Sequence, residues 1–210
     1  MIGQNSEVYA FGGWQRKFDE LHVPFHVPLP YKIVDMAATD EMVAFLDVYG
    51  VIRYCFTGNL RDSLETDFPW MISVHCSHEN IWGVSQAGKL WVYNDKKIQE
   101  SRQRTSVLCG AVEIHELNDL CCVYCAKRQV VVLDNAGRVF ACSDTEQKNF
   151  SFEEILLPEK AISVSCTDDY CCFALESGIV YCFGILYGFN DRNKAEHSLF
   201  HIPGLTNIQK

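Results

Sequence analysis

Apolar and polar residues alternate along this chain with the period of a β-strand, and no stretch repeats with the period of a helix. Val34, Met36 and Ala38 alternate with polar or small neighbours, as do Ile72, Val74 and Cys76, and Ile162, Val164 and Cys166. Period two predicts strands with one buried face. After a short loop each is followed by a denser apolar run: Met42 to Leu46, Ile81 to Val84, Val130 to Leu133 and Cys171 to Leu175. Next comes a turn that ends in glycine, as in Ser85-Gln86-Ala87-Gly88, Asp134-Asn135-Ala136-Gly137 and Glu176-Ser177-Gly178. Glycine closing a short hairpin loop supplies the positive φ that other residues resist. A third run follows, such as Lys89-Leu90-Trp91-Val92-Tyr93.

These runs recur as a unit. The segments 34–56, 72–94, 121–143 and 162–184 align through a small residue at a constant distance before a glycine: Ala38 and Gly50, Cys76 and Gly88, Cys125 and Gly137, Cys166 and Gly178. An aromatic follows the glycine in three of them (Trp91, Phe140, Tyr181), and Arg53 stands there in the first. Residues 6–12 copy the end of the fourth unit, and residues 199–210 read as the start of a further one. Unequal spacing between the units belongs to loops of different length. A meander of at least three strands, repeated at roughly 40–50 residues, reads as a propeller blade. The predicted fold is all-β: a single β-propeller-like domain over 1–210, an array of antiparallel meander blades. Four repeats make it an incomplete or atypically small propeller, through truncation, divergence or assembly with other chains.

The units resemble the regulator of chromosome condensation repeat. The fourth matches best, from Cys166 through Gly178 to Tyr181, Phe183 and Gly184, and Phe200-His201-Ile202-Pro203-Gly204-Leu205 resembles the family's lead into a next blade. Several family positions differ here. The glycine after the small residue is Thr39, Ser77, Ala126 or Thr167, and the histidine is Met42, Asn80, Gln129 or Tyr170. The resemblance implies a propeller that binds protein through rim loops. In exchange-active members, acidic and histidine residues of such loops contact a small GTPase.

Charge and chemistry narrow this reading. The net charge is −9, without the basic stripe that marks nucleic-acid binding. Lys96, Lys97, Arg102 and Arg104 are mixed with Glu100 and read as a solvated loop. No run approaches the roughly 18–20 apolar residues of a membrane helix, and the first residues lack a secretory pattern. Eleven cysteines without such a leader predict free thiols in a reducing compartment, the cytoplasm or the nucleus. The densest group is Asp119-Leu120-Cys121-Cys122-Val123-Tyr124-Cys125-Ala126-Lys127. Its Cys122 and Cys125 lie on one predicted strand, point to opposite faces and stand about 10 Å apart at roughly 3.3 Å per residue. They form neither a metal clip, which needs four ligands, nor a bridge, which needs about 4.4–6.8 Å between Cα atoms.

His75 and His78 flank Cys76 from different faces, and His22 and His26 sit in a proline-broken segment, so no metal site is expected. No nucleophile elbow, phosphate loop or dinucleotide glycine pattern is present, and no cofactor is expected. What remains is the loop after the first strand of each unit: Asp40 and Glu41, His78 and Glu79, Lys127 and Arg128, Asp168 and Asp169. Four such tips on one rim predict a non-catalytic module that binds a protein, a small GTPase or another basic partner. The alternative is a guanine-nucleotide exchange factor, matched to the family by loop position only.

Overall fold

The computed structural model describes residues 2–3, 5–10, 24–56, 63–77, 80–94, 110–126, 129–142, 150–184, 199–202 and 204–205. The leading hairpin is β1 (Val8–Ala10) with β2 (Phe25–Val27). Four antiparallel meanders of four strands follow in chain order. The first sheet is β3 (Ile33–Ala38), β4 (Met42–Asp47), β5 (Ile52–Phe56) and β6 (Leu64–Glu65). The second is β7 (Met71–Cys76), β8 (Ile81–Ser85), β9 (Leu90–Asn94) and β10 (Gly110–Ile114). The third is β11 (Leu120–Cys125), β12 (Val130–Asp134), β13 (Val139–Cys142) and β14 (Glu153–Ile155). The fourth is β15 (Ala161–Cys166), β16 (Tyr170–Leu175), β17 (Val180–Gly184) and β18 (Leu199–His201). The predicted meander thus has a fourth, outer strand in every unit.

That outer strand relocates one segment. Leu199–His201, read from sequence as the start of a further unit, closes the fourth sheet instead, with Tyr181 opposite His201. The leading hairpin repeats the arrangement, with Tyr9 opposite His26. Its two strands correspond to the third and fourth strands of a blade. The ring pairs match as well, at 5.7 Å for Tyr181–His201 and 5.6 Å for Tyr9–His26. No described strand pairs the leading hairpin with the fourth sheet.

Sheets stack face on face, so each core lies between two units. The leading hairpin meets the first sheet through Val8, Val27, Val43 and Phe45. Met42, Leu46, Ile52 and Tyr54 meet Met71, Val74 and Ile81 of the second sheet. Trp82, wholly buried, meets the third sheet and stands edge-on to Phe150 at 4.9 Å. Val131, Leu133 and Val139 meet Val164, Phe173 and Leu175. The second strands of the first three sheets are buried on both faces, which is why their apolar runs are continuous.

Every inner strand departs from plain alternation at its second residue. The register shifts between Ile33 and Asp35, Met71 and Ser73, Leu120 and Cys122, and Ala161 and Ser163. A bulge inserts one unpaired residue and turns its side chain away. Val34 and Ile72, expected in the core, are therefore 52% and 47% exposed, and Cys121 is half-buried. Ala38 is also exposed, unlike Cys76 and Cys125. It faces the side where the leading hairpin supplies only outer strands.

A repeated backbone clip joins the sheets. In each second-to-third-strand turn the glycine N–H closes the turn, onto Asp47, Ser85, Asp134 or Leu175, at 2.8–3.1 Å. The carbonyl of that glycine then accepts the first N–H of the next inner strand: Met71 to Gly50 at 2.9 Å, Leu120 to Gly88 at 3.0 Å and Ala161 to Gly137 at 2.9 Å. The turn glycines need positive φ, and a Cβ on Gly88 would sit 3.0 Å from the Asp119 Cα. Gly88→Ala is expected to cost about 2 kcal/mol, from backbone strain plus this clash. A thermal melt should show a clear loss of melting temperature, and an unchanged one would remove the clip from the stability of the fold.

Candidate functional site

The meander sorts the connections onto two rims. Turns between second and third strands, and the leads into the next sheet, lie on one rim with the clips. Turns between first and second strands lie on the other, where the third strands also end. The clip rim is occupied by holding the sheets together. Binding loops on a rigid scaffold are then sought on the opposite, tip rim.

A backbone bond between the flanking residues brackets each tip: the N–H of Thr39 to the Met42 carbonyl at 2.8 Å, Ser77 to Asn80 at 2.9 Å, Ala126 to Gln129 at 2.8 Å and Thr167 to Tyr170 at 2.8 Å. Threonine braces the first and last tips. Thr39 Oγ1 accepts the Glu41 and Met42 N–H groups at 3.3 and 3.2 Å, and Thr167 Oγ1 accepts those of Asp169 and Tyr170 at the same distances. Asp40, Asp168 and Asp169 are exposed, and Glu41 is half-buried. The structure thus places two of the four expected pairs at the ends of one row. His78, Glu79, Lys127 and Arg128 lie outside the described residues.

Two residues that position the tips were not read from the sequence as functional. Gln129 donates from Nε2 to the Thr167 carbonyl, tying the third tip to the fourth. Gly184, at φ +119, passes so close beneath the fourth tip that a Cβ there would run into the Asp169 carbonyl and Tyr170. The resemblance to a known repeat held the only signal for them. Gln129 stands in the family's histidine position, and Gly184 ends its third strand. Asn80, in that same histidine position, accepts from Asn94 Nδ2 at 2.7 Å in a buried pair.

Inner strands have an unpaired edge, and side chains of the preceding sheet serve it. Asp35 Oδ2 accepts the Val74 N–H at 3.3 Å, Ser73 Oγ accepts that of Val123 at 3.5 Å, and His75 Nδ1 accepts that of Cys125 at 3.1 Å. Burial pushes the Asp35 carboxyl up, against the lowering effect of the Val74 and Met36 N–H groups. Burial also lowers His75, against smaller opposing effects that include the nearby Asp35. Buried thiols border this edge. Burial pushes Cys76 up to about 12 and raises Cys125 well above the usual thiol range.

The cysteine motif takes its place here. Cys122 faces Leu133 and Cys125 faces Val130 in the ladder, three residues apart on opposite faces of β11. The bulge brings the Cys121 and Cys122 sulfurs to 3.7 Å, and Cys121 donates to the Leu133 carbonyl at 3.3 Å. Among the described residues, no group of three or more His, Cys, Asp or Glu side chains is placed to hold a metal ion. One expectation about thiols is corrected. Eight described cysteines are free, but Cys172 and Cys182 form a disulfide. Directly facing positions on β16 and β17 bring them together, a pairing that sequence spacing does not show.

Successive four-stranded antiparallel meanders are the architecture of a β-propeller. Prp20, the yeast RCC1, in its complex with Kap60, superposes at a TM-score of 0.65 and 15% identity, over 86% of this chain and 52% of that one. Prp20p from Saccharomyces cerevisiae, a protein with binding properties to Gsp1p and histones, gives 0.65 and 16% over 86% and 54%. Human WBSCR16 gives 0.61 and 14% over 81% and 52%. The fold is a β-propeller arrangement like that of these structures. This chain spans about half the length of these three structures. No protein-family model and no curated protein matches it in sequence.

The His75 bond to Cys125 joins the second and third sheets, and protonating Nδ1 removes the acceptor. A histidine held below its ordinary 6.5 leaves the unfolded chain binding more protons as pH falls from about 6.5 through the folded value. The stability this neutral ring contributes is therefore present above 6.5 and lost below. Asp35, raised above 3.8, has the opposite slope in a window that begins at 3.8. The melting temperature is expected to fall by a few degrees from pH 7 to 5.5 in an Asp35→Asn background, and His75→Asn should flatten that fall. An equal fall in both proteins would show that His75 does not govern it.

Proposed function

We propose that this chain is a non-catalytic protein-interaction module that takes a basic protein partner on its tip rim. The observation that carries this reading is the pair of acidic tips, Asp40–Glu41 and Asp168–Asp169, set on braced turns of stacked sheets on the rim opposite the clips. The net charge of −9 favours encounter with a basic surface. His78, Glu79, Lys127 and Arg128 extend the row by their place in the sequence, and the mixture of signs would set the register of the partner. The binding properties of Prp20p to Gsp1p and histones support a protein partner of this kind.

Guanine-nucleotide exchange on a small GTPase is the second reading, supported by the same likeness in fold. It needs no nucleophile, only tighter binding of the nucleotide-free state of the GTPase.

Core histones are the direct probe of a basic-partner rim. Exposed ion pairs are worth about 0.2–1 kcal/mol each, so the Asp168→Ala, Asp169→Ala double variant is expected to bind about two- to thirtyfold more weakly in biolayer interferometry. Its salt dependence should also be shallower. Parental affinity in a double variant that melts normally would remove the fourth tip from the interface. No histone binding by the parent chain would overturn the basic-partner reading. Faster release of labelled GDP from a small GTPase, with no histone binding, would favour the exchange reading.

A further inference from the structure

The fourth sheet differs from the other three on the face it turns forward along the stack. In the first three sheets the forward positions of the second and third strands pack against the next sheet: Ala44, Leu46, Ile52 and Tyr54, then Trp82, Val84, Leu90 and Val92, then Val131, Leu133, Val139 and Ala141. The same positions of the fourth sheet hold Cys172, Ala174, Val180 and Cys182. None of these four belongs to an inter-sheet core. Packing between the described sheets therefore makes no demand for cysteine at either place.

Cys172 and Cys182 stand opposite one another in the β16–β17 ladder, with Cα atoms 4.3 Å apart. Facing residues of an antiparallel pair without mutual hydrogen bonds lie about 4.5 Å apart in any sheet. The strand register alone thus holds the two sulfurs within bonding reach. That register has independent supports. Gly178 closes the turn onto Leu175 at 2.8 Å, Phe173 and Leu175 are fully buried against the third sheet, and β18 pairs along the far side of β17. The sulfurs also differ in access, since Cys172 is half-buried and Cys182 wholly buried.

We propose that Cys172 and Cys182 form a reversible thiol–disulfide site that exchanges with low-molecular-weight thiols and disulfides, entered through the Cys172 sulfur. In reduction a small thiolate attacks Cys172 Sγ, the bond to Cys182 breaks, and Cys182 leaves as a thiolate that takes up a proton. A second small thiol attacks the sulfur of the mixed disulfide that came from the first, and Cys172 departs as a thiol. One protein disulfide becomes two thiols while two small thiols become one small disulfide. Oxidation by the small disulfide runs the same steps backward. The thiols of the same sheet stay out of the exchange because only the thiolate is nucleophilic: Cys171 is buried, and its hydrogen bond with Cys166, together with burial, holds Cys166 as a thiol.

The test equilibrates the full chain in glutathione buffers whose reduced-to-oxidised ratio spans about a thousandfold, then quenches with acid. Differential alkylation and peptide mass mapping read each cysteine. Cys172 and Cys182 are expected to pass together from mostly bridged to mostly free across the series, while Cys76, Cys125 and Cys171 remain free throughout. In Cys172→Ser, Cys182 should stay a thiol at every ratio. The far-UV spectrum should be the same at both ends, because the register and not the bridge holds the strands. A pair that never bridges, or never opens, overturns the proposal. So does loss of the sheet signal on reduction, which would make the bridge a structural staple, or pairing of Cys182 with another cysteine in Cys172→Ser.

Discussion

One backbone bond, the N–H of an inner strand donating to the turn glycine of the sheet before it, underlies the rest of this structure. It recurs at each of the three junctions between four-stranded sheets, from Met71, Leu120 and Ala161. An inner strand has one unpaired edge, and its first donor would otherwise lie buried without an acceptor. The turn can offer its carbonyl only because glycine takes positive φ there and presents no Cβ to the incoming chain. The same contact sets the separation of the sheets, and that separation sets which side chains can fill the space between them.

From this constraint follows the division between the rims. Clips and leads occupy one end of every sheet, where sequence change is confined by backbone contact. The tips at the other end are each bracketed by a backbone bond, and in the first and last units a threonine hydroxyl braces them. Their outer residues can then vary in charge from unit to unit without disturbing the stack. Asp40, Asp168 and Asp169 vary on such a frame. Along the inner edge the preceding sheet supplies acceptors of different kinds, a carboxylate, a hydroxyl and an imidazole, for the same class of backbone donor. Only the imidazole loses its acceptor by taking up a proton.

Much of the fold was legible in the chain because strand periodicity and turn glycines are local signals. The repeat was found through Cys76 and Gly88, or Cys166 and Gly178, and each such pair marks the end of an inner strand and the turn that clips it. The bulges were not legible. Val34 and Ile72 look like core residues in a run of alternating hydrophobics, and only pairing with the next strand shows that one residue is left over. The outer strands were missed for a related reason. Leu64–Glu65 is two residues long, and Leu199–His201 lies far along the chain from the strand it joins.

The sequence by itself determined an all-β repeat, the boundaries of its inner three strands, and the identity of the residues at each tip. These follow from side-chain period and from the φ that glycine permits, which are properties of neighbours in the chain. It also settled the fate of Cys122 and Cys125, since three residues along a strand separate two faces. Only the tertiary structure decided which cysteines meet. Cys172 and Cys182 are brought together by register across a hairpin, and His75 reaches Cys125 from one sheet to the next. Such contacts depend on how strands slide and stack against one another, and residue spacing carries no record of that.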